Sequence, residues 1–587
     1  MIEDSCLEQK DFAVGVMVGL TQQNGDGVIC HPARKHRLTR SRMLVSWVGG
    51  VFGAIALATP SFSAERMVLN YKEIEFQVNV QDVEILVNQG QLTNTLTPYA
   101  TLLKPEQLKQ IRTLFQQRFE LDPKLVQQFT YSPLGEMFMR RFGEIFQSIP
   151  GKNGYDEVRR ALTKASADPK GLNLLAVIKT FPSKTLHVDL QLVLEGAEEL
   201  TTLTNQRDAI VAALRQQHLR AATRSPKVPA ADLRVAGKWT VQKKSVTLDD
   251  TTRKLPEGRT RQIPLDVYWP QGANLPQSLP VVVISHGLGE NRNNYAYLAK
   301  HLASYGFVVA IPEHPGSNAE KLQQAYSGFG KPPSPVEFLD RPKDITLTLD
   351  RLGTVEPSLK DRLNLQQVGV AGHSLGGYTA FALAGAELNF ARLQEFCKTN
   401  RSLNISTLLQ CRATELPAQA YPLQDPRVKS VIAINPVTSI LQGQQGLAKL
   451  QVPVLMVGSG QDAITPIVPE QVVPFTWLTM PRKYLAVIDR ATHFSAVGKS
   501  EQEEKKVLPL LPSMIGPSPE LAQTYIKAMS VAFLKTTIAQ DSAFIDYLKP
   551  AYVQKINHPP LQMSWTDTLT PPQLEAITSS AAASAQK

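Results

Sequence analysis

Between residues 236 and 490, seven short apolar runs alternate with stretches of helical texture: IPLDVYW, PVVVISHG, FVVAIPEH, QVGVAGHS, SVIAINP, PVLMVGS and YLAVIDR. Runs that are apolar along their whole length suit strands buried on both faces, and helical connections between strands go with parallel pairing. The pattern predicts an α/β fold, a mainly parallel sheet with helices on both faces.

The chain has 587 residues, more than such a sheet needs, and its 43% hydrophobic content can fill more than one core. From Glu65 to about Gln217 the texture is mostly helical. In KPEQLKQIRTLFQQRFE, Pro105 opens a helix and Leu108, Ile111, Phe115 and Phe119 recur along one face. SPLGEMFMRRFGEIFQSI and NQRDAIVAALRQQ repeat the pattern without ligand-spaced His, Cys or paired carboxylates, so their apolar positions read as core. LRAATRSPKVPAADLRV loses periodicity and gains proline, which marks a linker. The expected organisation is a presequence at 1–64, a mostly α-helical domain at 65–218, a linker at 219–235, the α/β domain at 236–545 and an extension at 546–587. The low-complexity end beyond about residue 570 is expected to fray.

Arg34, Lys35, Arg37, Arg40 and Arg42 precede an uncharged, largely apolar run from Met43 to Thr59, and small residues follow at Ser61 and Ser63. This is the pattern of a signal peptide at 43–64, cleaved after Ser63 or Ala64, and it places the mature chain in the periplasm or outside the cell. The apolar run holds three glycines and falls short of the roughly 20 residues of a membrane span. Beyond it only Cys397 and Cys411 remain, and an even pair in an exported chain reads as a disulfide.

Of the net charge of +10, residues 1–64 carry six basic and five acidic side chains, which leaves +9 on the remainder. Such a surface suits peripheral contact with an anionic membrane. The basic residues are dispersed, with no Lys/Arg block interleaved with aromatics, so no nucleic acid is expected as a partner.

One segment carries chemistry. VGVAGHSLGGYTAFALAG sets Ser374 between a buried-strand run and a good helix former, the context in which a G-x-S-x-G match has meaning. Such a turn holds its serine in a strained conformation and needs small neighbours, which Gly372, Gly376 and Gly377 provide. The N–H of Leu375, at the start of the new helix, then faces a developing oxyanion. A second donor is expected after an earlier strand, where SHGLG turns through Gly287, Leu288 and Gly289, and the N–H of Leu288 is the candidate.

An alkyl hydroxyl needs an imidazole to take its proton, and the imidazole needs a carboxylate to fix its tautomer. In chain order Ser, acid, His, the acid is expected at Asp462 in VGSGQDAITP and the base at His493 in VIDRATHFSA. Asp489 is the rival acid, only four residues before His493. His286 is expected to shape its glycine-rich turn, His314 and His373 to shape turns or line the pocket, and His187, His218, His301 and His558 have no ligand-spaced partners. No metal site or cofactor motif is visible.

PVVVISHGLGENRNNYAYLAKHLASYGFVVAIPEHPGS together with GVAGHSLGG resembles the plasma-type platelet-activating factor acetylhydrolases, and more loosely the dienelactone hydrolase branch of the α/β-hydrolases, over roughly residues 236–540. The resemblance implies an α/β-hydrolase fold and calcium-independent hydrolysis of short or oxidised acyl esters, glycerophospholipids included, with Leu288 and Leu375 as oxyanion donors. Two departures matter. Asn435 stands where the acetylhydrolases have their acid, so the acid moves to Asp462, and the serine argues against the usual cysteine-dependent dienelactone activity. The segment before the linker looks like a bacterial domain of unknown function found ahead of such hydrolases. Residues 386–424 intervene after the nucleophile helix and are expected to form a lid. The expected activity is an exported serine ester hydrolase acting on a small-molecule or lipid ester. A carboxylesterase for soluble or polymeric esters, or a peptidase, uses the same triad, and a catalytically silent binding protein is the alternative from another class.

Overall fold

The computed structural model describes residues 63–101, 105–116, 118–119, 123–131, 133–224, 228–326, 330–399, 402, 404–499 and 512–585. The signal expected at 43–64, up to residue 62, lies outside them, as do Cys6 and Cys30.

The first unit is not purely helical. Strands β1 (Arg66–Tyr71), β2 (Ile74–Asn79), β3 (Phe146–Gln147) and β4 (Thr185–Asp189) form a sheet in the order β2-β1-β4-β3. Helices Val80–Gln89, Pro133–Ile145 and Tyr155–Ala165 pack against it around Met67, Val87, Met139, Val158, Leu186 and Val188. The helices Pro105–Gln116 and Pro133–Ile145 lie where apolar spacing predicts them. The sheet escapes sequence reading because its strands are short and part-exposed, so period-two alternation has few positions in which to appear.

The second unit is built on a nine-stranded sheet in the order β13-β12-β11-β10-β9-β7-β8-β6-β5. Its strands are β5 (Thr240–Lys254), β6 (Thr260–Gln271), β7 (Leu279–Ser285), β8 (Val308–Pro312), β9 (Leu363–His373), β10 (Val428–Ile434), β11 (Val454–Ser459), β12 (Lys483–Ile488) and β13 (Met563–Thr566). The seven apolar runs are β6 to β12. From β8 to β12 all pairings are parallel, while β5, β6 and β13 pair antiparallel at the edges. Two apolar layers follow, one on each face. One contains Val281, Val283, Val370 and Met456; the other contains Val282, Ile284, Ile432 and Phe533. Strand order reverses between β7 and β9, which opens a crevice at their carboxyl ends.

The expected linker is displaced. A single helix of 34 residues, Leu190–Thr223, runs from the first unit into the second. Ile210 and Leu214 on it are buried in the larger core, so its C-terminal half belongs to the α/β unit. The segment after it is docked: Leu233 is buried, its N–H donates to Tyr552 Oη (2.8 Å), and its carbonyl pairs with His301 Nε2 (2.9 Å). Nor does the C-terminal end fray at residue 570. β13 adds to the sheet edge, and helix Pro571–Ala585 buries Leu574 in the core beside Ile210 and Leu214.

Candidate active site

β9 ends at His373, and helix Leu375–Leu383 begins two residues later. The turn is made by Ser374 alone, at φ 55° and ψ −118°, a conformation costing a non-glycine residue about 1–3 kcal/mol. Main-chain bonds on both sides hold it: Ser374 N–H donates to Ile434 O (2.9 Å), and Gly377 N–H donates back to Ser374 O (2.9 Å). The glycine requirement is steric. A Cβ on Gly372 would sit 2.0 Å from Gly376 O, and one on Gly376 would sit 2.1 Å from Ser285 O. Gly377 packs on Pro436 in the same way. The Gly376 contact brings the serine turn against the end of β7.

After β7 the chain turns through His286, Gly287, Leu288 and Gly289, the last at φ +75°. His286 shapes this turn. Its Nδ1 donates to Gly287 O (2.7 Å), its Nε2 accepts from His314 N–H (3.0 Å), and burial holds its pKa well below that of an ordinary histidine. Among the described residues neither the Leu288 N–H nor the Leu375 N–H donates to a protein acceptor. The Leu375 N–H belongs to the first turn of its helix, where no intrahelical acceptor exists.

Asp462 follows β11 and His493 follows β12. His493 Nδ1 lies 2.7 Å from Asp462 Oδ2, and because a carboxylate only accepts, Nδ1 carries the proton and the neutral ring presents Nε2 as the acceptor. The carboxylate is fully engaged, accepting from Ile464 N–H and Thr465 N–H at Oδ1 and from Thr465 Oγ1 at Oδ2, each at 2.8 Å. Ser374, Asp462 and His493 are all buried. The Ser374 hydroxyl makes no hydrogen bond to His493 among the described residues. What joins them is His373, which precedes the serine: its ring lies 4.7 Å, centroid to centroid, from that of His493, and its Nε2 lies 3.0 Å from His493 O. Catalytic hydrogen bonds often close only with substrate bound.

Asp489 goes elsewhere. Its Oδ1 accepts from Arg490 N–H and Gln562 N–H, and it lines a separate 430 Å³ cleft beside Arg207 and Arg215 of the 34-residue helix.

Three supports were missed in the sequence. Asn435, at φ 44°, donates through Nδ2 to Ser459 Oγ (3.1 Å) and His493 O (3.2 Å), tying the acid and base loops together. Arg341, fully buried and held down to about 10 by desolvation, donates to His286 O and to Ser317 Oγ (2.7 Å). Beside it Arg261, Asp344, Glu337 and His314 form a buried ionic cluster. Burial raises the Asp344 carboxyl, but the charges and hydrogen bonds of Arg261 and His314 together leave the group well below the usual carboxylate range. Glu290 is the third. Only the spacing of these polar residues from the turns gives a sequence signal, and it is a weak one.

The insertion at 386–424 folds as helices Phe390–Thr399 and Ile405–Cys411, joined by a Cys397–Cys411 disulfide. Leu393, Ala413 and Leu416 pack with Leu375, Tyr378 and the side chain of Leu288 in one apolar cluster. Buried Gln410 fixes it to the loop after β10, accepting from Ile440 N–H (2.7 Å) and donating to Glu470 Oε1 (2.8 Å).

Residues 63–189 match the family model "Alpha/beta hydrolase of unknown function (DUF1400)", and residues 251–326 match "Platelet-activating factor acetylhydrolase, isoform II". The chain has an α/β-hydrolase fold. Among curated proteins it is distantly similar to the platelet-activating factor acetylhydrolase of Bos taurus, 25% identical over 150 residues that cover 19% of this chain and 34% of that protein. It is also similar to chlorophyllase-1 of Citrus sinensis, 27% identical over 160 residues that cover 27% of this chain and 43% of that protein. The chain thus spans less than half the length of these relatives.

Proposed function

We propose that this chain is a serine ester hydrolase working through an acyl-enzyme. The observation that carries the reading is the Asp462–His493 pair on adjacent strand-end loops, beside a strained serine and two unpaired main-chain donors. In this reading Ser374 Oγ attacks the ester carbonyl while His493 Nε2 takes its proton, and Asp462 balances the imidazolium charge. The N–H groups of Leu288 and Leu375 hold the oxyanion. Collapse expels the alcohol, which takes the proton from Nε2, and water activated by the same nitrogen releases the acid.

Short or oxidised acyl esters of glycerophospholipids are the favoured substrates. The acetylhydrolase match spans the Leu288 turn, and the apolar cluster of Leu288, Leu375 and Tyr378 offers a wall for an acyl chain. The chlorophyllase similarity, at comparable identity, favours a second reading, a carboxylic ester with a large apolar alcohol. Export to an oxidising compartment is part of the proposal, and the Cys397–Cys411 disulfide supports it.

Labelling with a fluorophosphonate probe and peptide mapping test the mechanism. An adduct on Ser374 is expected, absent in Ser374→Ala, undiminished in Asp489→Asn and slowed by about four orders of magnitude in Asp462→Asn. A folded wild type that takes no label overturns the reading. Turnover of short-acyl phospholipid against an ester of a long-chain alcohol then separates the two substrate classes.

A further inference from the structure

Glu290 and His373 belong to neither the proposed triad nor the proposed oxyanion donors, yet both are buried beside the site. Glu290 Oε2 accepts from Gly287 N–H (2.5 Å) and Tyr295 Oη (2.6 Å), and Oε1 lies 2.8 Å from His373 Nδ1. The other ring nitrogen faces the His493 carbonyl at 3.0 Å. A carboxylate surrounded by three donors is ionised, and a ring whose two nitrogens each meet an acceptor must donate from both, so His373 is an imidazolium.

We infer that Glu290 and His373 form a buried ion pair that positions the site. The chain of bonds Gly287 N–H, Glu290, His373 and His493 C=O ties the proposed oxyanion turn after β7 to the base loop after β12, and passes through the residue next to Ser374. Both are positioning residues. Neither is placed to touch substrate. The inference rests on the triad reading only for its effect on rate, because the charge state of the pair stands on geometry alone.

The groups facing His373 are consistent with a retained proton. Burial lowers its pKa, but the charge and hydrogen bond of Glu290 outweigh this and leave it raised, with Asp462 adding to the effect. Tyr295, its ring 6.2 Å from that of His373, stays neutral because burial and Glu290 push its pKa far up, and burial does the same to Tyr297. Burial raises the Glu290 carboxyl as well, yet the charge of His373 together with the hydrogen bonds from His373, Tyr295 and Gly287 leaves it lowered. The His493 ring lies on the other side, 4.7 Å away. Loss of the His373 proton removes one of its two bonds, so the assembly holds below the raised pKa of His373 and loosens as pH climbs through it.

Two measurements on the full chain test this. In 15N-histidine spectra, with the His373 signal assigned by its loss in His373→Gln, the ring is expected to show the imidazolium pattern at pH 7 and the neutral pattern there in Glu290→Gln. In the pH profile of kcat for p-nitrophenyl acetate, Glu290→Gln is expected to move the alkaline limb down by a unit or more, with KM changed less than twofold. Glu290→Asp, which keeps the charge, is expected to restore most of the wild-type limb. A neutral His373 ring in the folded wild type at pH 7, or an unchanged limb in Glu290→Gln, overturns the inference. If the wild type hydrolyses no ester, the triad reading fails and the ring spectra still decide the pair.

Discussion

Asp462 and Asp489 sit in neighbouring strand-end loops and look alike in sequence, but their hydrogen bonds separate them: one carboxylate faces an imidazole, the other caps the β13 return. Asn435 divides chemistry from support in the same way. Its amide reaches the His493 main chain. Replacing it by Asp turns a donor into an acceptor facing a carbonyl. Asn435→Asp is therefore expected to lower kcat at least tenfold and, combined with Asp462→Asn, to restore nothing, as steady-state ester hydrolysis would report. Gly376→Ala is expected to destabilise by about 1–3 kcal/mol, read from urea unfolding, because the added carbon meets the Ser285 main chain rather than a side chain that can turn away.

Among the strands, those with continuous apolar runs were legible and those without were not. β6 to β12 announce themselves because both faces are buried. β5 alternates exposed and part-buried residues along TVQKKSVTLDDTTRK, and β13 is only four residues long, so neither leaves a pattern strong enough to separate from loop. The serine turn and the meeting of Asp462 with His493 were legible because the loops that end neighbouring strands of a parallel sheet lie side by side at one edge. Their supports, Glu290, Arg341 and Asn435, act through contacts between distant loops, which local spacing does not encode. The insertion was legible as an insertion, but its attachment through Gln410 was not. Gln410→Leu strands the buried Ile440 and Leu441 N–H groups and deprives Glu470 of a donor. Each unsatisfied group costs about 1–3 kcal/mol, so a fall in melting temperature of several degrees is expected. The Cys397→Ser/Cys411→Ser double variant should lose about 3 kcal/mol in the loop-entropy account.

At the scale of the molecule, the domain boundary read from composition at 219–235 falls after the helix that both units share. A chain that starts at residue 236 lacks Ile210 and Leu214 and is expected to unfold at least 10 °C below one that starts at residue 190, by calorimetry. Acid also acts on the whole. Burial depresses His301 and His314 to about 4, and holds His286 well below the ordinary histidine value. Their neutral forms contribute stability that is full above the unfolded value near 6.5 and lost as pH falls through the depressed values, on the order of 3 kcal/mol for each of His301 and His314. His373 works the other way, its contribution full below 6.5 and lost as pH rises through its raised value. With more rings of the first kind, urea midpoints are expected to drop between pH 6.5 and 4.5.

The shared helix has one more consequence, a mechanical one. At 1.5 Å per residue its 34 residues make a rod of about 50 Å, with one end embedded in the small unit and the other wedged into the interior of the large one. A pull on the small unit is borne by Ile210 and Leu214 rather than by a slack tether, so traction on one body strains the packing of the other.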